Sequence, residues 1–113
     1  MSDYNNTKVI FHADDLGLTL GINDAIRKTH LRGFLTSTSV RTNGPAFQDA
    51  INNVTNVCPD LSVGIHLNLV EGKVNDKNKY KFKFLVDREN NFKYRFFGLL
   101  IRSFSKSFLA EVE

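Results

Sequence analysis

Residues 61–69, Leu61-Ser-Val-Gly-Ile-His-Leu-Asn-Leu69, decide the fold because apolar and polar side chains alternate along them. Such alternation is typical of a β-strand with two chemically different faces. One face would carry four aliphatic side chains able to pack on helices, namely Val63, Ile65, Leu67 and Leu69. The opposite face would carry Gly64, His66 and Asn68, a set that is unusual for a purely structural interior.

Two further strand patterns precede this one, and each is followed by a helix pattern. The apolar run Lys8–Ala13 predicts a buried strand, and the Thr-, Ser- and Val-rich stretch Phe34–Thr42 predicts a second strand. Spaced apolar residues predict an amphipathic helix over Leu18–Leu31, and a second helix pattern covers residues 45–57. The order β-α-β-α-β over residues 8–72 therefore predicts an α/β fold with a parallel sheet and right-handed crossovers.

The chemistry of the chain changes after residue 72. Residues 1–72 hold 5 Lys/Arg and 7 Asp/Glu, whereas residues 73–113 hold 10 Lys/Arg and 5 Asp/Glu. Because aromatic and basic residues alternate on both sides of the turn-like Asp87–Asn91, residues 73–97 predict a basic aromatic hairpin or loop. Residues 98–113 predict an amphipathic helix, with apolar residues at four-residue spacing that include Leu100, Phe104, Phe108 and Val112.

Composition restricts the class of protein. Of the 113 residues, 42% are hydrophobic and 24% charged, which is typical of a soluble globular domain. The sequence shows no run of 18 apolar residues and no signal peptide, so we expect a cytoplasmic protein without a membrane partner. The single cysteine, Cys58, excludes an internal disulfide framework. Since the basicity is confined to the second region, nucleic acid is not the expected partner.

Polar side chains follow each predicted strand, at the end of a parallel sheet where ligands gather. Asp14 and Asp15 follow the first strand, Asn43 follows the second, and His66 and Asn68 lie late in the third. One of two adjacent carboxylates can ligate a metal while the other accepts a proton. Each residue alone has a plainer explanation, since an aspartate can cap the next helix and a strand histidine is usually packed. Three strands that deliver such residues to one end favour a site.

Three neighbouring features receive a structural interpretation. His12 could orient Asp14, two residues later, but packing is a sufficient explanation. The run Thr36-Ser-Thr-Ser39 is explained by strand composition. Cys58 precedes a proline and is interpreted as an inert thiol.

Four motifs, in order along the chain, resemble the YdjC-like family of metal-dependent carbohydrate deacetylases, including those that act on chitooligosaccharides. They are Ala13-Asp-Asp-Leu-Gly17, Gly33-Phe-Leu-Thr-Ser-Thr-Ser39, Asn43-Gly-Pro-Ala-Phe47, and Val63-Gly-Ile-His-Leu-Asn-Leu69 followed by Glu71-Gly72. They cover residues 8–72, and the basic aromatic region matches loosely as a variable segment. The resemblance implies the N-terminal portion of a (β/α) barrel related to polysaccharide deacetylases.

The resemblance also implies roles for the candidate residues. In this family the first aspartate of the pair acts as general base and the second binds the metal, which assigns Asp14 and Asp15. The histidine of the Gly-Ile-His-Leu motif, His66, is a further ligand. A divalent ion, Mg²⁺ or Zn²⁺, would hold the attacking water while Asp14 takes its proton and an N-acetylated sugar loses its acetyl group. Asn43 and Asn68 are the expected substrate contacts.

The sequence departs from the family in one respect. No His-rich motif, which supplies another metal ligand in the family, follows Leu69, and family members are about twice this length or more. Residues 1–113 therefore resemble a single incomplete domain in which two ligands predict weak metal binding and little or no activity. Two alternatives stay open: a non-enzymatic fragment that forms a homo-oligomer or pairs with a partner chain, and a binder of polyanions.

Overall fold

The computed structural model describes residues 8–74, 82 and 84–105. The described residues fall into two compact units. The first comprises residues 8–41 and 45–66, and the second comprises residues 42–44 and the described residues from 67 onward. Each unit is treated by itself below.

The first unit is built on a three-stranded parallel sheet. Its strands are β1 (His12–Leu16), β2 (Ser37–Val40) and β3 (Ser62–Ile65), and they lie in the order β1-β2-β3. Ser37 pairs with His12 on one side and with Ser62 on the other, so the three strands start level. The prediction of three parallel strands in a β-α-β-α-β order is confirmed.

Two helices connect these strands. The first, α1 (Leu20–Leu31), begins at Thr19, whose hydroxyl accepts a hydrogen bond from the backbone N–H of Ile22. The second, α2 (Phe47–Ala50), continues as a π-helical segment over Ile51–Thr55. Both helices lie where the apolar spacing predicts them, although the switch to π-helical hydrogen bonding within the second was not predicted.

The core of the first unit collects one or two apolar residues from nearly every element. Its buried members are Leu16, Ile26, Leu35, Val40, Ala50, Val54, Cys58 and Leu61. Cys58 is buried within this cluster, in agreement with its interpretation as an inert thiol. The core thus joins β1 and β2 to α1, α2 and the π-helical segment.

Two expectations about the strands are wrong. The run Lys8–Ala13 is not a buried strand, because β1 starts only at His12 and the side chain of Ile10 is 76% exposed. The strand instead runs through Asp14 and Asp15 to Leu16.

The apolar face of β3 does not pack on helices either: Val63 is 40% and Ile65 69% exposed. The physical reason is that the helices pack over Leu16 of β1 and Val40 of β2, and the buried cluster that they form contains no residue of β3.

The second unit is a loop excursion with a short helix. An antiparallel bridge joins Val86 to Phe92 across the turn that begins at Asp87, which agrees with the predicted turn composition. A small cluster surrounds the buried Leu85 and Val86, packed by Val74, Phe82, Phe92, Tyr94 and Leu99. Among the described residues these contacts are isolated bridges rather than a strand ladder; Lys79, Tyr80, Lys81 and Lys83 of the predicted hairpin lie outside the described residues.

The helix of the second unit, α3 (Phe96–Arg102), starts earlier than the predicted helix over residues 98–113. It ends at Arg102, and Phe104 beyond it is 87% exposed. Phe108 and Val112 of the predicted apolar face lie outside the described residues. None of the helices in the described part of the chain has the length and apolar character needed to cross a membrane.

Candidate active site

The site candidates of the first unit lie at the ends of neighbouring strands. Asp14 and Asp15 occupy the second half of β1, Ser39 lies in β2, and His66 directly follows β3. The backbone N–H of His66 donates to the carbonyl oxygen of Val40 at 2.9 Å, which continues the pairing of β3 with β2 by one residue. Because the strands are parallel, these residues meet at the same end of the sheet, where the carboxyl ends of the strands lie.

A break in the register of β1 determines where the two aspartates lie. The pairing of β1 with β2 shifts between Ala13 and Leu16, and Asp15 has a φ of 67°. In a regular strand two successive side chains point to opposite faces of the sheet. A bulge with a left-handed residue redirects its side chain, and such features concentrate at functional sites.

Both carboxylates consequently approach one imidazole. Oδ1 of Asp14 lies 3.9 Å and Oδ1 of Asp15 3.7 Å from Nδ1 of His66. The side chain of Asp14 is 67% exposed, whereas Asp15 and His66 are 38% and 30% exposed. The structure therefore brings together the three residues to which the family resemblance assigns the roles of base and metal ligands.

Two further side chains hold Asp14: His12, for which the sequence left an orienting role open beside packing, and Ser39, which was explained by strand composition. The hydroxyl of Ser39 donates to Oδ1 of Asp14 at 2.8 Å, and Nε2 of His12 lies 3.3 Å from the same oxygen. His12 is positioned in turn by Ser37, whose Oγ lies 2.8 Å from its Nδ1. The Ser39 hydroxyl lowers the pKa of Asp14, aided by the nearby His12 and His66 and opposed by partial desolvation. Asp14 is therefore an ionised, accessible carboxylate at neutral pH.

Asp15 has a different partner. Its Oδ1 lies 3.5 Å from Nη1 of Arg41, whose side chain is only 8% exposed. A nearly buried guanidinium beside a carboxylate restrains the orientation of that carboxylate. Arg41 follows β2 directly, and no motif in the sequence indicates a role for it.

Two of these side chains, Asp15 and His66, are of the types that ligate metal ions in proteins. Carboxylate oxygen and imidazole nitrogen are suitable ligands for Zn²⁺, and ligand bonds of about 2.0–2.2 Å require the two side chains to be neighbours, as Asp15 and His66 are. Within residues 8–74, 82 and 84–105, however, no group of three or more His, Cys, Asp or Glu side chains is arranged so that it could hold a metal ion. The metal-ligand role of Asp15 and His66 therefore stays a prediction.

The two asparagines predicted to contact substrate belong to the second unit. The side-chain amide of Asn68 donates to Oδ1 of Asn43 at 3.1 Å and to the carbonyl oxygen of Glu71 at 2.7 Å. The amide of Asn43 donates to the carbonyl oxygens of Glu71 and Lys73. These contacts order the segment that follows β3, and the substrate role of both residues stays a prediction.

The fold and the site together define an α/β protein with a carboxylate–imidazole centre at the carboxyl ends of parallel strands. Within that class, a family model described as YdjC-like protein matches residues 8–113. The chain belongs to the YdjC-like family.

Several proteins similar to this chain have names that refer to carbohydrates. The chain is 46% identical over 66 residues to a carbohydrate deacetylase of Vibrio cholerae serotype O1 (strain M66-2), covering 58% of this chain and 26% of that protein. It is 40% identical over 88 residues to a carbohydrate deacetylase of Thermoanaerobacter pseudethanolicus, covering 78% and 34% of the two chains.

A solved structure extends the likeness to the fold. A protein of Enterococcus faecalis V583 named for cellobiose-phosphate cleavage superposes with a TM-score of 0.66 at 30% identity, covering 76% of this chain and 33% of that one. The chain thus spans about a quarter to a third of the length of these relatives.

Proposed function

We propose that this chain carries part of the active site of a metal-dependent carbohydrate deacetylase, which removes acetyl groups from N-acetylated sugars. The observation that carries the proposal is the approach of Asp14 and Asp15 to within 3.9 Å of the His66 imidazole. Support comes from the names of the relatives in Vibrio cholerae and Thermoanaerobacter pseudethanolicus.

The proposed ligands, Asp15 and His66, are less exposed to solvent than the proposed base, Asp14. Asp15 and His66 would hold a divalent ion, Mg²⁺ or Zn²⁺, since both side chains are partly shielded and lie next to each other. Such an ion, when bound, supplies Lewis-acid activation of water and of the acetyl carbonyl. Asp14 is the better base because its carboxylate is more exposed, and therefore accessible to a water molecule.

Asp14 would accept the proton of the attacking water at a carboxylate oxygen. Its hydrogen bond from Ser39 and its contact with His12 fix the carboxylate in one orientation. That orientation places the base beside the proposed ligands before substrate arrives, which reduces the entropic cost of the reaction.

We further propose that the complete centre requires another ligand and the rest of a (β/α) barrel. A site with two protein ligands holds its ion weakly compared with the three or four of catalytic and structural zinc sites. We therefore expect the 113-residue chain by itself to bind a divalent ion weakly and to release acetate slowly.

The test uses a chimera in which the matched segment of the Vibrio cholerae relative is replaced by the aligned residues of this chain. The chimera should release acetate from N-acetylglucosamine oligomers, lose the activity with EDTA, and lose it again with Asp14→Ala. A folded, metal-binding chimera that releases no acetate from any acetylated sugar would show that the substrate class is wrong. Full activity with Asp14→Ala would show that the base is wrong.

A second candidate function is association with another copy of this chain. All four residues of β3 are exposed, including the apolar Val63 and Ile65. An exposed edge strand is a template for pairing with another strand. Sedimentation of the 113-residue chain over a range of concentrations tests this candidate, which predicts oligomers whether or not a divalent ion is added.

A further inference from the structure

Arg41 places a permanent positive charge beside one of the two proposed metal ligands. Its Nη1 lies 3.5 Å from Oδ1 of Asp15, and its side chain is only 8% exposed. The backbone N–H of Arg41 donates to the carbonyl oxygen of Leu16 at 2.7 Å, which ties the end of β2 to the end of β1. Because an arginine guanidinium is always protonated in proteins, the presence of this charge does not depend on pH.

The carboxylate oxygen that faces Arg41 is the same atom that faces the imidazole of His66. Oδ1 of Asp15 lies 3.7 Å from Nδ1 of His66, and these are the two atoms that a shared ion would contact. Their separation suits two ligand atoms that each lie about 2.0–2.2 Å from one ion. Arg41 is therefore a cation next to an atom that the proposed metal site would use.

Arg41 has two opposing effects on an ion at Asp15. Its contact restrains the carboxylate, which favours binding, but 3.5 Å is longer than a strong hydrogen bond. The backbone of Asp15 is also held without Arg41, because its carbonyl oxygen accepts from the N–H of Leu18 at 3.0 Å. Repulsion between the guanidinium and a divalent ion opposes binding, and salt screens it little where the charge is buried. The repulsion is therefore the larger of the two effects.

We infer that Arg41 weakens the binding of a divalent ion at Asp15 and His66, because its guanidinium already provides a positive charge beside the Asp15 carboxylate. The identity of the two ligands in this inference rests on the proposed function. Loss of the Arg41 charge should consequently strengthen ion binding. Loss of a side chain that only supports Asp15 would weaken it, so the sign of the change distinguishes the two roles.

Titration of the 113-residue chain with Zn²⁺, followed through the backbone amide resonances of Asp15 and His66, measures the affinity at these two residues. Arg41→Met replaces the buried guanidinium by an apolar side chain, and it should bind Zn²⁺ about tenfold more tightly than the wild-type chain. Arg41→Gln removes the same charge and keeps polar atoms, so it provides the same test if Arg41→Met does not fold.

The matched control is Arg27→Met. Arg27 lies on α1, where its Nη2 is 2.9 Å from Oδ1 of Asp24, and its side chain is partly exposed. This variant changes the net charge by the same amount, but it should leave the Zn²⁺ affinity within about twofold of wild type, because salt screens exposed charges. Equal tightening in the Arg27 and Arg41 variants would overturn the inference, since the overall charge would then be the cause.

Two other results would overturn the inference. One is unchanged or weaker Zn²⁺ binding in Arg41→Met and Arg41→Gln, and the other is an absence of binding at His66 in the wild-type chain and in both variants.

The chimera separates this inference from the proposed function. If the chimera releases acetate while Arg41→Met does not tighten Zn²⁺ binding, the role of Arg41 is wrong and the deacetylase proposal stands. If the chimera releases no acetate while Arg41→Met tightens Zn²⁺ binding, the deacetylase proposal fails and the role of Arg41 stands.

Discussion

Oδ1 of Asp15 lies 3.7 Å from Nδ1 of His66, although the two residues belong to opposite edges of the described sheet. The approach depends on the backbone of Asp15, whose φ of 67° coincides with the register shift in β1. Without that shift, Asp14 and Asp15 would point to opposite faces of the sheet. The irregularity of β1 thus accounts for the presence of two carboxylates beside one imidazole.

The first prediction concerns the different roles proposed for the two carboxylates, Asp15 as metal ligand and Asp14 as base. Asp15→Ala should weaken Zn²⁺ binding about tenfold or more, because it removes one of two proposed ligands. Asp14→Ala should change the affinity much less, since Asp14 is assigned the role of base. Isothermal titration of both variants checks the difference, and equal affinities would contradict the assigned roles.

The second prediction concerns the backbone strain at Asp15. Aspartate and asparagine tolerate a left-handed conformation, whereas a β-branched residue does so at a cost of about 1–2 kcal/mol. Asp15→Val should therefore lower the free energy of unfolding relative to Asp15→Asn, although both lose the charge that faces Arg41. Urea denaturation measures the difference. If the two variants are equally stable, the left-handed conformation is not an energetic feature of the fold.

Some of this arrangement could be predicted from the sequence. The strand patterns, including the alternation in residues 61–69, and the helix patterns between them were sufficient for the order of three parallel strands, because side-chain periodicity follows the type of secondary structure. The topology then placed Asp14, Asp15 and His66 at one end of the sheet, since the carboxyl ends of parallel strands coincide. These steps use only local patterns and the handedness of β-α-β connections.

Other features could not be predicted because they depend on contacts between distant segments. The bulge in β1 could not be predicted from the motif Ala13-Asp-Asp-Leu-Gly17, because the same motif is also compatible with the end of a regular strand. The presence of Ser39 is explained by strand composition in the sequence, whereas the structure places its hydroxyl between Asp14 and His66. The exposure of Val63 and Ile65 depends on which strands the helices cover. The alternation of apolar and polar residues in β3 does not indicate which strands these are.

The third prediction concerns Asn23, a buried side chain at the start of α1 that is 1% exposed. Its oxygen accepts from the backbone N–H of Gly17, and its amide donates to the carbonyl of Ala46 and the carboxylate of Asp49. It thereby joins the residue that follows β1 to the start of α2. Asn23→Ala should lower the free energy of unfolding by about 2–3 kcal/mol, because buried polar partners lose their hydrogen bonds.

The matched control for Asn23 is Asn53, which donates to the same carboxylate of Asp49 but is exposed. Asn53→Ala should cost about 0.5 kcal/mol or less, as is usual for surface positions. Urea denaturation of both variants gives the comparison. Similar losses at the two positions would mean that burial does not determine the contribution of this network.

The fourth prediction tests association through β3. Ile65 is 69% exposed, so Ile65→Lys should leave the free energy of unfolding nearly unchanged and should abolish concentration-dependent oligomers in sedimentation. Leu61→Lys is the contrasting variant, because Leu61 is 5% exposed and belongs to the core, and it should destabilise the fold strongly. Oligomers that persist in Ile65→Lys would exclude this face of β3 as the contact.

The fifth prediction concerns acid. Hydrogen bonds from Asn23 and then Asn53 hold the pKa of Asp49 below its ordinary value of 3.8, against a smaller opposing effect of desolvation. Between the lowered pKa and 3.8 the unfolded chain binds more protons than the folded one, so stability rises with pH across that window. The contribution of Asp49 is thus fully present above about pH 4 and is lost as the pH falls through the folded-state pKa.

Asp14, Asp24 and Asp87 also have lowered pKa values and act with the same sign, so the wild-type profile alone does not isolate one residue. Urea denaturation from about pH 6 to pH 2.5 should therefore show a shallower loss of stability in Asp49→Asn than in the wild-type protein. Parallel profiles would mean that the Asp49 carboxylate has the same pKa in the folded and unfolded chain, contrary to the hydrogen bonds from Asn23 and Asn53.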